Sequence, residues 1–200
     1  REAASEWTLE PDETGLAAEH EQVRRLFAGL ARDTDRLAER IRRQALEETR
    51  RQTYQAMEAL IANLNTMNSR AGAQTPFSSI NYGTDTRPEA RMVMRCLLEA
   101  TEAGLGGGET AIFPIQIFRV QKGVNLNPGD PNYDLFRLAC RVSAKRLFPN
   151  FSFQDAPFNA EFYRPGHPET EIAYMGCRTR VMSNVHDPVS YTHLTLPTTP

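Results

Sequence analysis

Apolar positions in this chain follow one spacing up to about residue 67 and another beyond it. Leu26, Leu30, Leu37 and Ile41 step by 4, 7 and 4 residues, and Tyr54, Met57, Ile61 and Leu64 step by 3, 4 and 3. Each set lies along one face of a helix. No Gly or Pro interrupts positions 30–71, and only helices commonly sustain so long a run without a breaker. Between the two stripes, Glu47–Thr53 is entirely polar, which predicts a helix that is exposed or broken there. A helix of roughly forty residues would span about 60 Å, long for a compact domain. Two helices, or one packed against another subunit, are therefore expected; a surface helix of a larger domain fits the same pattern.

After Gly72 the segments shorten and alternate. Pro76–Tyr82 is a strand candidate ending at Gly83, and Arg91–Ala103 a helix ending at Gly104, a C-cap residue. Thr110–Val120 is β-rich with Pro114 inside it, Gly123–Pro131 is rich in turn residues, and Tyr133–Leu147 is a helix with Asp134, Arg137, Arg141 and Lys145 on its polar side. Phe151–Phe153 and Ile172–Met175 are further short strands. This alternation predicts an α/β architecture with mostly parallel strands, preceded by long helices.

Composition narrows the class. The 200 residues are 40% hydrophobic and 24% charged, as in a globular chain. No apolar run reaches the length of a membrane-spanning helix. With 23 basic and 25 acidic residues the net charge is −2, which gives no electrostatic case for nucleic acid or an anionic membrane. Three cysteines without CxxC spacing point to a reducing, cytoplasmic setting rather than a disulfide framework. The sequence opens at Arg1 within a charged segment, and 189–200 (VSYTHLTLPTTP) shows neither charge beyond His193 nor helical period. These ends read as an internal fragment, about 1–188, followed by a non-native tail at 189–200. Within the fragment the expected division is a helical segment 1–67 and a compact part 68–188.

Few residues suggest chemistry. The glycines of Gly104–Gly108 follow a helix and precede a strand, the reverse of a phosphate loop, which opens a helix; a flexible turn fits better. Cys96 and Cys140 stand within helices, where buried structural thiols are the usual case. Cys177 differs, because Met175-Gly176-Cys177-Arg178-Thr179-Arg180 places it just past a strand end between a glycine and two arginines. Gly frees the backbone to turn, and arginines favour a thiolate or an anionic ligand; a buried core thiol is the alternative. Cys177 and His186 lack a second pair to complete a metal site, so no metal ligands are assigned. Glu169 and Glu171 beside Pro168 read as an exposed loop pair, and Asn150-Phe151-Ser152 matches a glycosylation sequon that has no meaning without secretion.

Four blocks carry a resemblance: YQAMEALIANLNTMNSRAGAQTPFSSINYGTD (54–85), TAIFPIQIFRVQKGVNLNPGDPNYDLFRLAC (110–140), SAKRLFPNFSF (143–153) and AYMGCRTRV (173–181). In this order they resemble the catalytic domain of the anaerobic, class III ribonucleoside-triphosphate reductases. The resemblance implies part of a ten-stranded α/β barrel of two parallel halves, with a finger loop through its centre and Cys177 at the tip of that loop. It implies a transient thiyl radical on Cys177 that abstracts the ribose 3′-hydrogen and starts loss of the 2′-hydroxyl. A thiyl radical must meet one C–H bond at near contact and be shielded from quenchers, and a loop inside a closed barrel supplies both.

The same resemblance sets Ser78, Ser79 and Asn81 on a strand near the substrate, where they bond ribose or phosphates or else satisfy strand and turn backbone. It places the long helix (30–67) beside a homodimer contact and an effector-nucleotide site. It implies a glycyl radical outside this fragment, a radical-SAM iron–sulfur activase, formate as reductant, ATP and dNTP effectors, and a zinc site in the missing C-terminal part. The second catalytic cysteine also lies outside, so the fragment alone is expected to be inactive. A non-catalytic nucleotide-binding relative, or another glycyl-radical enzyme with the same barrel, are the alternatives; the latter lack the PFSSINYGTD and NPGDPNYDL text.

Overall fold

A computed structural model describes residues 21–67, 75–164, 167, 170–176 and 179–181. The chain forms two compact units, residues 1–48 and 49–200. In the first, the described part is the beginning of helix α1 (Glu21–Thr66). Its stripe residues Leu30, Leu37 and Ile41 are exposed, as is Leu46. α1 runs unbroken through Glu47–Thr53, so the chain does not divide into two helices there. Glu, Arg and Gln are good helix formers, and Arg51 Nη1 reaches Gln55 Oε1 at 3.3 Å one turn on.

In the second unit the rest of α1 joins the core: Ile61 is buried, and Tyr54 and Met57 pack against it. This half of the helix therefore belongs with the sheet. Strands β1 (Ser79–Tyr82), β2 (Ile115–Val120) and β3 (Asn150–Phe153) form a parallel sheet in that order. Helices α2 (Pro88–Ala103) and α3 (Tyr133–Arg146) make the two crossovers, as parallel neighbours require. Beyond a single turn, α4 (Pro157–Ala160), comes an antiparallel hairpin of β4 (Ala173–Met175) and β5 (Thr179–Val181). Among the described residues, then, the fold is mixed α/β around a parallel sheet.

Alternation along the strands gives the sheet two unlike faces. Ile80, Tyr82, Gln116, Phe118, Val120 and Phe151 fall on the face toward α2 and α3. There Phe118 meets the Tyr82 ring edge-on at 5.5 Å and the Phe151 ring at 6.1 Å, among Leu97, Leu98, Leu135 and Val142. Gln116 is the polar exception. Tyr82 O–H donates to its Oε1 at 2.7 Å, its Nε2 donates to Thr101 Oγ1 at 2.8 Å, and that hydroxyl donates to Leu97 O. Tyr82, Gln116 and Thr101 thus partner one another, which offsets the cost of burying them; burial disfavours the phenolate and drives the Tyr82 hydroxyl pKa far up.

Cys96 is buried as expected, but Cys140 is exposed. The buried positions of α3 are Leu135, Leu138, Ala139 and Val142, and Cys140 falls one residue, about 100°, past Ala139 on the cylinder. Both thiols are pushed up by burial of the sulfur, Cys96 further by Glu99, so neither is an activated nucleophile. Gly104 ends α2, its N–H donating to Ala100 O, and the glycines after it connect helix to strand. Arg146 completes that end by donating to Glu102 O, Ala103 O and Gly108 O.

α2 and α3 are also joined by charge: Arg91 and Arg95, one turn apart, both bind Asp134. Burial pushes the Asp134 carboxyl up, but the hydrogen bonds from Arg91, the two guanidinium charges and the Leu135 N–H outweigh it and hold it below the usual carboxylate value. A carboxyl lowered on folding adds stability above its unfolded pKa of about 3.9, and that stability is lost as pH falls through the folded value. Asp134→Asn is expected to be less stable than the wild type at pH 7, with the difference closing below about pH 4. Denaturant melts across that range check it; an undiminished difference in acid would contradict the pairing.

Candidate functional site

The sheet face away from α2 and α3 carries Ser79, Asn81, Ile117, Arg119, Asn150 and Ser152. This is a polar surface, and the β4–β5 hairpin is fastened to it side chain by side chain. Asn81 Nδ2 donates to Tyr174 O at 2.7 Å, and Tyr174 N–H donates back to Asn81 Oδ1 at 2.9 Å. Tyr174 O–H donates to Asn159 Oδ1 at 3.0 Å, while the buried Asn159 Nδ2 holds Phe153 O at the end of β3. Arg119 of β2 pairs with Glu171 just before β4. On β5, Arg180 Nη1 donates to Phe158 O at 2.6 Å and its guanidinium lies 4.9 Å from the Phe162 ring centroid, a cation–π contact.

A cavity of about 330 Å³ opens beside these anchors, lined by Ile117, Asn150, Ser152, Phe158, Asn159 and Tyr174 among others. Its walls are mostly apolar, with amide and hydroxyl groups among the aromatic faces. Two buried polar atoms near the sheet have no partner among the described residues: Ser78 Oγ and Arg119 Nε. No group of three or more His, Cys, Asp or Glu among the described residues could hold a metal ion.

Cys177 lies outside the described residues, as do His186 and Glu169. What the structure describes is its frame. The pairing of Met175 with Thr179 leaves residues 176–178 to connect β4 and β5. Gly176 takes φ +62°, and a Cβ there would stand 3.2 Å from the Phe77 ring. Phe77 is itself set by an edge-on contact with Phe113 at 5.4 Å. Of the three strand residues singled out from sequence, Ser79 and Asn81 share the hairpin face, whereas Ser78 falls on the opposite alternation. Glu171, read as half of an exposed loop pair, is an ion-pair partner of a mostly buried arginine. Arg119, Asn159 and Tyr174 were not singled out at all. The S-x-N of β1 and N-x-S of β3 were the available signal, since polar residues two apart in strands mark one polar face.

Left-handed backbone disfavours a side chain at 176, least for Asn and most for β-branched residues. In a full-length protein carrying this segment, Gly176→Val is expected to speed hydrogen exchange of the Tyr174 amide more than Gly176→Asn does. Equal exchange in both would contradict the conformation at 176.

Comparison with known proteins gives the family. Residues 17–198 match the family described as anaerobic ribonucleoside-triphosphate reductase. The anaerobic ribonucleoside-triphosphate reductase of Enterobacteria phage T4 is 37% identical over 136 residues, 68% of this chain and 22% of that protein. The Escherichia coli K12 protein of the same name is 33% identical over 138 residues, 68% and 18%. That of Haemophilus influenzae is 32% identical over 132 residues, 64% and 17%. The chain thus spans about a fifth of the length of the curated relatives it matches. With the family match covering nearly all of its residues, the chain belongs to the anaerobic ribonucleoside-triphosphate reductase family.

Proposed function

We infer that this chain forms part of the catalytic region of an enzyme that reduces ribonucleoside triphosphates to deoxyribonucleoside triphosphates, with Cys177 as the residue that carries the radical. The observation behind this reading is the hairpin itself. A short β4–β5 ribbon whose connection contains Cys177 is held over a polar sheet face, beside a cavity, by hydrogen bonds from β1 and from the turn after β3. A radical sulfur requires such an arrangement: a fixed position near one C–H bond, on a loop supported from beneath.

In this reading the Cys177 sulfur takes the 3′-hydrogen atom of the ribose. An S–H bond forms, the C3′–H bond breaks, and the resulting carbon radical loses its 2′-hydroxyl as water with one added proton. Formate supplies the electrons, and a glycyl radical elsewhere in the protein, generated by an iron–sulfur activase, supplies the unpaired spin. Ser79, on the hairpin face, is the candidate to bond ribose or phosphate oxygens, while the unpartnered Ser78 hydroxyl falls on the opposite alternation. Asn81 has its carboxamide oxygen and one amide hydrogen engaged by Tyr174. The parallel sheet and hairpin are read as part of a ten-stranded barrel and its finger loop. A cytoplasmic homodimer regulated by ATP and dNTPs, with zinc bound elsewhere in the protein, completes the proposal.

Replacing the sulfur tests it. Cys177→Ser in a full-length reductase carrying this segment is expected to abolish dNTP formation after anaerobic activation while nucleotide binding persists, because an alkoxyl oxygen cannot replace sulfur in a reversible hydrogen-atom transfer. Turnover retained by that variant would sink the assignment.

A further inference from the structure

We propose that Asn81 is a positioning residue for the reaction: its carboxamide sets where β4, and with it the connection containing Cys177, stands over the sheet. The proposal rests on the function inferred above for Cys177 and adds to it the group that determines the placement.

β1 is an edge strand whose described neighbour in the sheet is β2 alone, and β4 pairs with β5. The hairpin lies against the face of the sheet, so no backbone ladder ties it to β1. The Asn81 side chain takes the place of a ladder rung. Its oxygen accepts from the N–H of Tyr174 and its nitrogen donates to the C=O of the same residue, at 2.9 and 2.7 Å. The two bonds engage the peptide groups on either side of the Tyr174 Cα, so they fix both the distance and the rotation of that residue, which a single bond would leave free. Tyr174 precedes Cys177 by three positions, and Gly176 and the short connection leave little chain in which a shift could be absorbed.

The remaining anchors control less. Arg119–Glu171 acts three residues before Tyr174 through a long side chain, and Arg180 holds the far strand. The Tyr174 hydroxyl is tethered to Asn159, but that bond sits at the end of a six-atom arm and leaves the peptide free to tilt. Asn suits position 81 because the site needs one donor and one acceptor on a short, two-torsion side chain. Asp would present a second acceptor to Tyr174 O, and Ser would not reach both groups.

The test uses a full-length reductase carrying this segment, with Asn81→Ala and the isosteric Asn81→Asp, and two readouts. In the unactivated protein, iodoacetamide labelling followed by mass spectrometry gives the alkylation rate at Cys177, with exposed Cys140 as internal reference. Both variants are expected to raise the Cys177 rate several-fold and leave Cys140 unchanged. In the activated enzyme, kcat is expected to fall about 100-fold, the scale of a misplacement near 1 Å, with KM within about twofold. An unchanged Cys177 rate, or equal rises at both cysteines, overturns the proposal, the second because it marks general loosening. A raised KM with kcat intact also overturns it, since Asn81 would then be a substrate contact. The labelling arm reads the placement of Cys177 whatever its chemistry, so its failure is distinct from failure of the Cys177→Ser test.

Discussion

Backbone N–H and C=O groups withdrawn from water must find partners, and in the second unit that requirement is met again and again by asparagine carboxamides. Asn65 at the end of α1 accepts from the N–H groups of Ile112 and Phe113 and donates to Phe113 O, tying the helix to the approach of β2. Asn125 bridges Gly83 O and Arg119 O, and Asn132 bridges Gly83 O and Asp85 O, so the loop after β1 is stitched to the ends of β2 and the start of α3. Asn81 and Asn159 do the same for the hairpin. A parallel sheet demands long crossovers and therefore many irregular turns. A short side chain carrying one acceptor and two donors can pair those turns without a ladder.

This stitching permits the division of labour between the two faces of the sheet. The face toward α2 and α3 is closed by rings and branched aliphatic side chains and supplies the burial that holds the unit together. The other face carries Ser79, Asn81, Arg119, Asn150 and Ser152 alongside Ile115 and Ile117. Hydrogen bonds on such a surface add modest net stability but strict geometry. In the proposed reaction, placement rather than stability is what Cys177 would ask of its support.

Much of the fold was legible in the residue order. The strands and helices from Pro76 onward lie close to their expected ranges, because alternation of polar and apolar residues and the glycines at helix ends act locally. The departures have local causes too. α1 continues where a polar stretch suggested exposure or a break: the stretch is mostly exposed, and Arg50 within it pairs with Glu99 of α2. Cys140 is exposed because one residue of rotation separates it from a buried neighbour. β5 escaped notice because three residues, Thr179–Val181, are too short a run for any periodic pattern.

The site divides the same way. Cys177 stood out in the linear text because Gly, Cys and Arg adjoin there, and the blocks around it placed the chain in its family. Asn81 also stood out, as a residue that bonds substrate or else satisfies strand and turn backbone. Its bonds to Tyr174 join positions 93 apart, and Arg119 meets Glu171 across 52; no local pattern encodes such pairs. Period, cap and motif follow from neighbours along the chain, so residue order alone settles the elements, their alternation and the family. Which polar side chain faces a ligand and which one holds a backbone in place depends on what the folded chain brings opposite it, and only the tertiary structure decides that.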